Sequence, residues 1–271
     1  MNKKKKRLII LSAIAGVLVF LILLSSAVFK IRGVSVEYQT TLTILSTEDL
    51  NSMVDNANLP VGKSIFFASM EESKAKMERE NPYVKINGIE RKFPNALVVM
   101  VSERVPVVKV EQNGVTYILD NELKILNIAA TAGEFNAETG EMDLPTLEVD
   151  DWFGFNIGDL AEGEFVSNDQ IRGYVDSFYR GAVAPGRDDS TVAVSEISSI
   201  ENIQVSYVQE LGKVQFFIEF KETSLTSTIV GDNNLTDNIY KVVGVVDDAL
   251  KRNIDYEYVN CADGTIYAKE R

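Results

Sequence analysis

Forty carboxylates and not one histidine leave this chain of 271 residues a narrow chemistry. Without histidine there is no Ser-His-Asp or Cys-His nucleophile system and no histidine-dependent zinc site. Cys261 is the only cysteine, so no intrachain disulfide can form. No Walker loop, GxGxxG, CxxC or EF-hand pattern occurs. Acid–base work by paired carboxylates, as in glycoside cleavage, is the one catalytic route left. With so many acids some Glu/Asp pair can always be nominated, and their number singles out none. The residues therefore predict no catalytic group, no metal and no cofactor, which makes binding the default activity and the chain no enzyme. A net charge of −13 argues against a nucleic-acid partner and keeps an exposed domain in solution.

Side chains suited to binding gather in two places. Tyr256, Tyr258, Ile266 and Tyr267 lie on two short stretches, Tyr256–Val259 and Thr265–Lys269, around the turn Ala262-Asp263-Gly264. A hairpin there would present an edge strand, whose unpaired N–H and C=O groups a partner segment can extend by strand addition. The same aromatics would equally serve to cover the domain's own core. The second place holds Arg91, Glu103 and Arg104, at the ends of two expected strands, Val84–Arg91 and Leu97–Glu103. Glu103 and Arg104 alternate faces, which suits a local ion pair or solvated rim as well as a partner contact. Trp152, Phe153 and Phe155 sit between acidic, glycine-bearing stretches, either as anchors of a loop to the core or as an exposed hot spot.

The elements that would position these residues are legible from periodicity and turn chemistry. Gly33–Gln39 alternates like a strand. Ser46 or Thr47 caps a helix, with Asp49 in the capping box and Leu50, Met53, Val54 and Ala57 on one apolar face. Leu59-Pro60-Val61-Gly62 breaks it. Ser69–Glu72 opens a second helix, with Met70 and Met77 inward, which ends before Asn81-Pro82. Phe93-Pro94-Asn95 turns the next two strands, because proline sets φ and asparagine tolerates the left-handed region. Pro106, lacking an N–H, ends strand pairing and marks a boundary. Beyond it come short strands at Val107–Val110, Thr116–Leu119 and Lys124–Leu126, then a loop at 129–143. A helix carries Ile171, Tyr174, Val175, Phe178 and Tyr179 on one face, and Pro185–Ser190 reads as a loop. Strands follow at Gln204–Val208, Val214–Phe220 and Leu225–Val230. A last helix bears Ile239, Val242, Val243, Val246 and Leu250, ahead of the terminal hairpin.

The first thirty residues carry a different message. Leu8 to Phe29 are 22 positions without a charge, about 33 Å as a helix, against a hydrocarbon core of ~30 Å. Five cations precede the run, Lys3, Lys4, Lys5, Lys6 and Arg7, and only Lys30 and Arg32 follow closely. The positive-inside rule then predicts a transmembrane helix with a cytoplasmic N-terminus. The rival reading is a cleaved signal peptide with Ser25 and Ala27 at the cleavage spacing, against which the run is longer than the usual ~7–15 apolar residues.

Taken together these motifs resemble the FtsQ/DivIB family of bacterial cell-division proteins. The segment FKIRGVSVEY at 29–38 resembles the family's opening, and NPYVKINGIERKFPNALVVMVSERVPVVKV at 81–110 carries its Asn-Pro, its aromatic-Pro-Asn turn and its Glu-Arg-x-Pro. NGVTYILDNELKIL at 113–126 resembles the start of the family's β domain, with Asp120 at the matching turn, and 225–271 resembles its end. Asn121-Glu122 replaces the usual glycine-containing turn, and 134–164 has no counterpart. The resemblance implies an α+β fold: a basic cytoplasmic tail at 1–7, a transmembrane helix at 8–29, a POTRA domain of order β-α-α-β-β at 30–106, and at 107–271 an antiparallel β-rich domain with two helices and a partner-binding hairpin. It implies a single-pass type II protein of the cell membrane, concentrated at the septum. Its partners would be FtsB/DivIC-like and FtsL-like bitopic proteins and, through them, an FtsW/FtsI-like septal synthase complex. The alternatives are a membrane-anchored wall enzyme using carboxylates and a surface or sporulation protein that borrows a POTRA-like module.

Overall fold

The computed structural model describes residues 14–17, 28–39, 45–57, 59–129, 144–182, 199–221 and 224–271. The described residues fall into two compact units: those up to Glu78 with Val84–Ser102, and Arg79–Tyr83 with those from Glu103 to Arg271.

The first unit runs β1 (Gly33–Tyr38), α1 (Thr47–Asn56), α2 (Glu71–Glu80), β2 (Val84–Lys92) and β3 (Ala96–Glu103), in the sheet order β1-β3-β2. β1 pairs with β3 in parallel, from Gly33 opposite Ala96 to Tyr38 opposite Val101. A parallel partner needs a long crossover, and the two helices lie within it. Helix α1 starts where the capping box was expected: Ser46 Oγ accepts from the Asp49 N–H at 3.1 Å, and the Asp49 carboxylate accepts from the Ser46 N–H at 3.0 Å. Leu50, Met53 and Val54 pack with Ala57, Met77, Ile86 and Val99 into one core. Helix α2 starts at Glu71, later than a box opening at Ser69 would place it, and the Met70 carbonyl accepts from the Lys74 N–H.

The second unit is built on β4 (Val108–Gln112), β5 (Val115–Leu119), β6 (Ile125–Ala129), β7 (Thr146–Val149), α3 (Asp169–Ala182), β8 (Ile200–Val208), β9 (Lys213–Phe220), β10 (Thr226–Val230), α4 (Leu235–Arg252), β11 (Tyr256–Ala262) and β12 (Thr265–Glu270). Its nine strands form one sheet in the order β12-β11-β10-β9-β8-β7-β4-β5-β6. Ile171, Val175 and Phe178 of α3 and Ile239, Val242 and Val246 of α4 share a core with Phe216, Ile218, Ile229 and Val259 from the sheet. Each such side chain contributes roughly 1.5–3 kcal/mol on burial. The two helices approach closely at Gly181, where a Cβ would lie 2.5 Å from the Thr236 carbonyl oxygen.

Two expectations need correcting. The sheet of the second unit is mixed: β10–β11, β7–β8 and β4–β7 are parallel pairs. Helix α4 returns the chain between β10 and β11, so those strands cannot meet as a hairpin. Strand β7, which joins β4 to β8, went unread because it is four residues long and flanked by acids; only Leu147 is fully buried. The second correction concerns the transmembrane helix expected over 8–29 and the topology attached to it. Among the described residues no helix is long and apolar enough to cross a membrane. A span needs ~20 predominantly apolar residues. Among the described residues helix α4, with 18 residues, carries Asp237, Lys241, Asp247, Asp248, Lys251 and Arg252. The remainder of 8–27, the tail with Lys3 to Arg7, and the loops at 130–143 and 185–190 lie outside the described residues.

Candidate functional site

The terminal hairpin forms where expected and lies at one side of the nine-stranded sheet. Its turn is short because Asp263 and Gly264 both take positive φ, 49° and 79°. That pair matches the right-handed twist of the strands it joins. The Lys241 ammonium, on α4, donates to the Gly264 carbonyl at 3.3 Å and ties the turn to the helix. Lys269 pairs across the strands with Glu257.

Register sorts the four predicted side chains into two pairs. Cys261 lies opposite Ile266, and Val259 opposite Ala268, on the face turned to α4. Tyr256 and Ile266 are half-buried against the core on that face. With Tyr240, Gly244, Val245 and Asp248 they line an open groove of about 520 Å³. Tyr258 lies opposite Lys269 and Asn260 opposite Tyr267, on the other face, where Tyr267 is 55% exposed. Cys261 is buried, and burial pushes its thiol pKa up, away from reactivity.

Among the described residues, strand β12 has one neighbour, β11. Antiparallel ladders alternate bonded and non-bonded pairs. Counting from Ala262–Thr265, which closes the turn, Ile266 and Ala268 direct their N–H and C=O away from β11. The opposite side of the sheet, at β6, is different. There the Ile125 N–H donates to the Glu164 carbonyl at 2.9 Å, and the Gly163 N–H donates to the Ile125 carbonyl at 2.8 Å. The Ile128 N–H is taken by the Glu162 carboxylate at 3.2 Å.

The second predicted group separates in the structure. Arg91 is exposed, and its guanidinium donates to the Ala68 carbonyl at 3.0 Å. Glu103 is half-buried at the end of β3. Arg104 is only 5% exposed. Its Nη1 contacts Asp120 Oδ2 at 2.5 Å and Glu122 Oε2 at 2.7 Å, and its Cζ lies 5.4 Å from the Phe165 ring centre. Asp120 Oδ1 also accepts from the backbone N–H groups of Glu122 and Lys124, which shapes the β5–β6 turn. Burial opposes the Arg104 charge, but the two carboxylates outweigh it and hold its pKa above the usual value. Arg104 is thus an interior strut.

Residues 29–104 match the FtsQ-type POTRA domain. This stretch includes β1, α1, α2, β2 and β3. The match supports an FtsQ-like family and covers little more than a quarter of the chain. No curated protein matches the chain. Two features of the site escaped the sequence reading. Tyr240, Gly244 and Val245 line the groove but sit on the polar side of the apolar repeat of α4. Trp152, weighed between core and surface, is 59% exposed and stacks on Tyr207 at 4.6 Å with rings 8° from parallel. Only strand β8, brought alongside by β7, supplies that partner.

Proposed function

We propose that this protein is a non-catalytic scaffold of the bacterial division machinery, acting at the septum. In this reading β12 receives an extended segment of an FtsB/DivIC-like partner, assembled with an FtsL-like one, and so links them to septal wall synthesis by an FtsW/FtsI-like complex. The observation that carries the reading is the open outer edge of β12, set against the edge at β6 that the chain itself occupies. An incoming strand would bond to Ile266 and Ala268, and the groove along α4 would receive apolar side chains beside Tyr256 and Ile266. Tyr258 and Tyr267 would meet the partner on the opposite face. Arg91 and Glu103 remain candidates for a second contact from the POTRA domain, whereas Arg104 acts by holding its surroundings in place. The FtsQ-type match supports the setting in the divisome.

Ala268→Pro tests this directly. Proline removes one outward N–H yet leaves the pairing to β11, since edge strands tolerate proline on their free side. Recovery of the FtsB/DivIC-like partner by co-purification should fall while the variant keeps its thermal unfolding. Unchanged recovery would remove strand addition at β12 from consideration.

A further inference from the structure

The first unit carries a patch of phenylalanine rings on its surface. Ring centres are 5.0 Å apart for Phe29 and Phe66, 5.3 Å for Phe66 and Phe93, and 6.5 Å for Phe66 and Phe67. Phe66, Phe67 and Phe93 are 47%, 89% and 59% exposed. They are not needed to complete the interior, because Ile31, Ile65, Ala68 and Leu97 are already buried as a cluster below them. The backbone holds the rings in place. Ile65 donates its N–H to the Phe29 carbonyl at 2.8 Å, Ile31 to the Lys63 carbonyl at 3.0 Å, and Arg32 to the Asn95 carbonyl at 2.8 Å. Segments 28–32, 61–67 and 91–95 are thereby brought together.

Charge identifies what this patch fits. The three segments bring Lys30, Arg32, Lys63, Arg91 and Lys92, all exposed, and no acid, on a chain whose net charge is −13. Aromatic rings in a cationic frame match an anionic lipid surface: the cations meet headgroup phosphates while the rings enter the boundary with the acyl chains. Phe29 is also the last residue of the uncharged run from Leu8, so the patch is continuous with the most apolar stretch of the sequence. An isolated exposed apolar residue needs no explanation, but a contiguous rigid group does.

We propose that this patch docks on the surface of an anionic bilayer, with Phe66, Phe67 and Phe93 entering the headgroup region. The contact requires no spanning segment and goes beyond partner capture at β12. It would hold the POTRA domain at the lipid surface in a fixed orientation.

Tryptophan reporters in the full chain test it. Trp152→Phe removes the only native tryptophan, after which Phe67→Trp or Phe93→Trp places a probe in the patch. Tyr38→Trp, at the end of β1 and about 17 Å along the strand from Gly33, is the control within the same unit. The probes are mixed with vesicles of phosphatidylglycerol and phosphatidylcholine brominated at shallow acyl positions. Emission from positions 67 and 93 should be largely quenched, that from 38 retained, and the quenching should weaken as phosphatidylglycerol is withdrawn. Equal quenching at 67 and 38, or none at 67, overturns the proposal. A blue shift at 67 that follows protein concentration and ignores lipid would identify a second copy of the chain as the occupant, and overturns it too.

Discussion

The two sides of the nine-stranded sheet solve the same problem in opposite ways. At β6, the segment 162–165 supplies main-chain and carboxylate partners to the outer groups of the strand. Behind that segment, Arg104 and Asp120 form a buried ion pair, with half-buried Glu122 as a second carboxylate partner and the Phe165 ring 5.4 Å from the Arg104 Cζ. At β12, no strand among the described residues pairs with the outer edge, and Lys269 and Glu270 add charge there. An unprotected edge invites pairing with other chains, and proteins commonly blunt or cover it. Covering one edge and leaving the other open therefore separates a structural side of the sheet from one suited to a partner.

The largest test of this contrast is to break the closed side. Arg104→Ala leaves Asp120 buried without its counter-charge, and removing one member of a buried pair costs about 3–5 kcal/mol. Urea unfolding should report that loss, whereas a drop below about 1 kcal/mol would mean that the cluster does not hold the β5–β6 turn. Next comes the open side. Ala268→Pro removes a bond that only a partner uses, so affinity for the FtsB/DivIC-like partner should fall about tenfold, or ~1.4 kcal/mol. The unfolding midpoint should barely move. A protein that loses stability and partner together would show that β12 is part of the core.

Smaller effects sharpen the comparison. Glu162→Ala uncovers the Ile128 N–H at a cost of about 1 kcal/mol. Hydrogen exchange at that amide should accelerate while exchange along β12 is unchanged. The smallest effect is a pH dependence confined to the hairpin. The hydrogen bond from Lys269, with its nearby charge, holds the Glu257 carboxyl below the usual glutamate range. Because the folded value is the depressed one, the stabilisation is complete above the unfolded pKa of ~4.3 and is lost as pH falls through the folded value. Amide exchange in β12 should therefore rise relative to the global rate in that acidic window, and Glu257→Gln should abolish the difference.

Much of this fold is legible in the sequence because the signals are local. The capping box at Ser46 and Asp49, the turns at Phe93-Pro94-Asn95 and Asp263-Gly264, and the apolar repeat of α3 each involve residues a few positions apart. Strand β7 was not legible, since four residues carry too little periodicity to stand out from their acidic surroundings. The position of Arg104 was not legible either. Alternation along a strand shows that it faces away from Glu103, but not that Asp120 and Phe165 close over it from elsewhere in the chain.

Composition by itself removed histidine-based catalysis and disulfides from consideration, and periodicity with turn chemistry determined most of the helices and hairpins. Only tertiary structure decided that β7 joins two groups of strands into one sheet, that one edge is closed and the other open, and that phenylalanines from three segments meet at one surface. Local patterns arise from backbone sterics and side-chain spacing within a few residues. Edges and patches are made by residues far apart in the chain, and which of them meet is settled by the pairing of strands and the packing of helices on them.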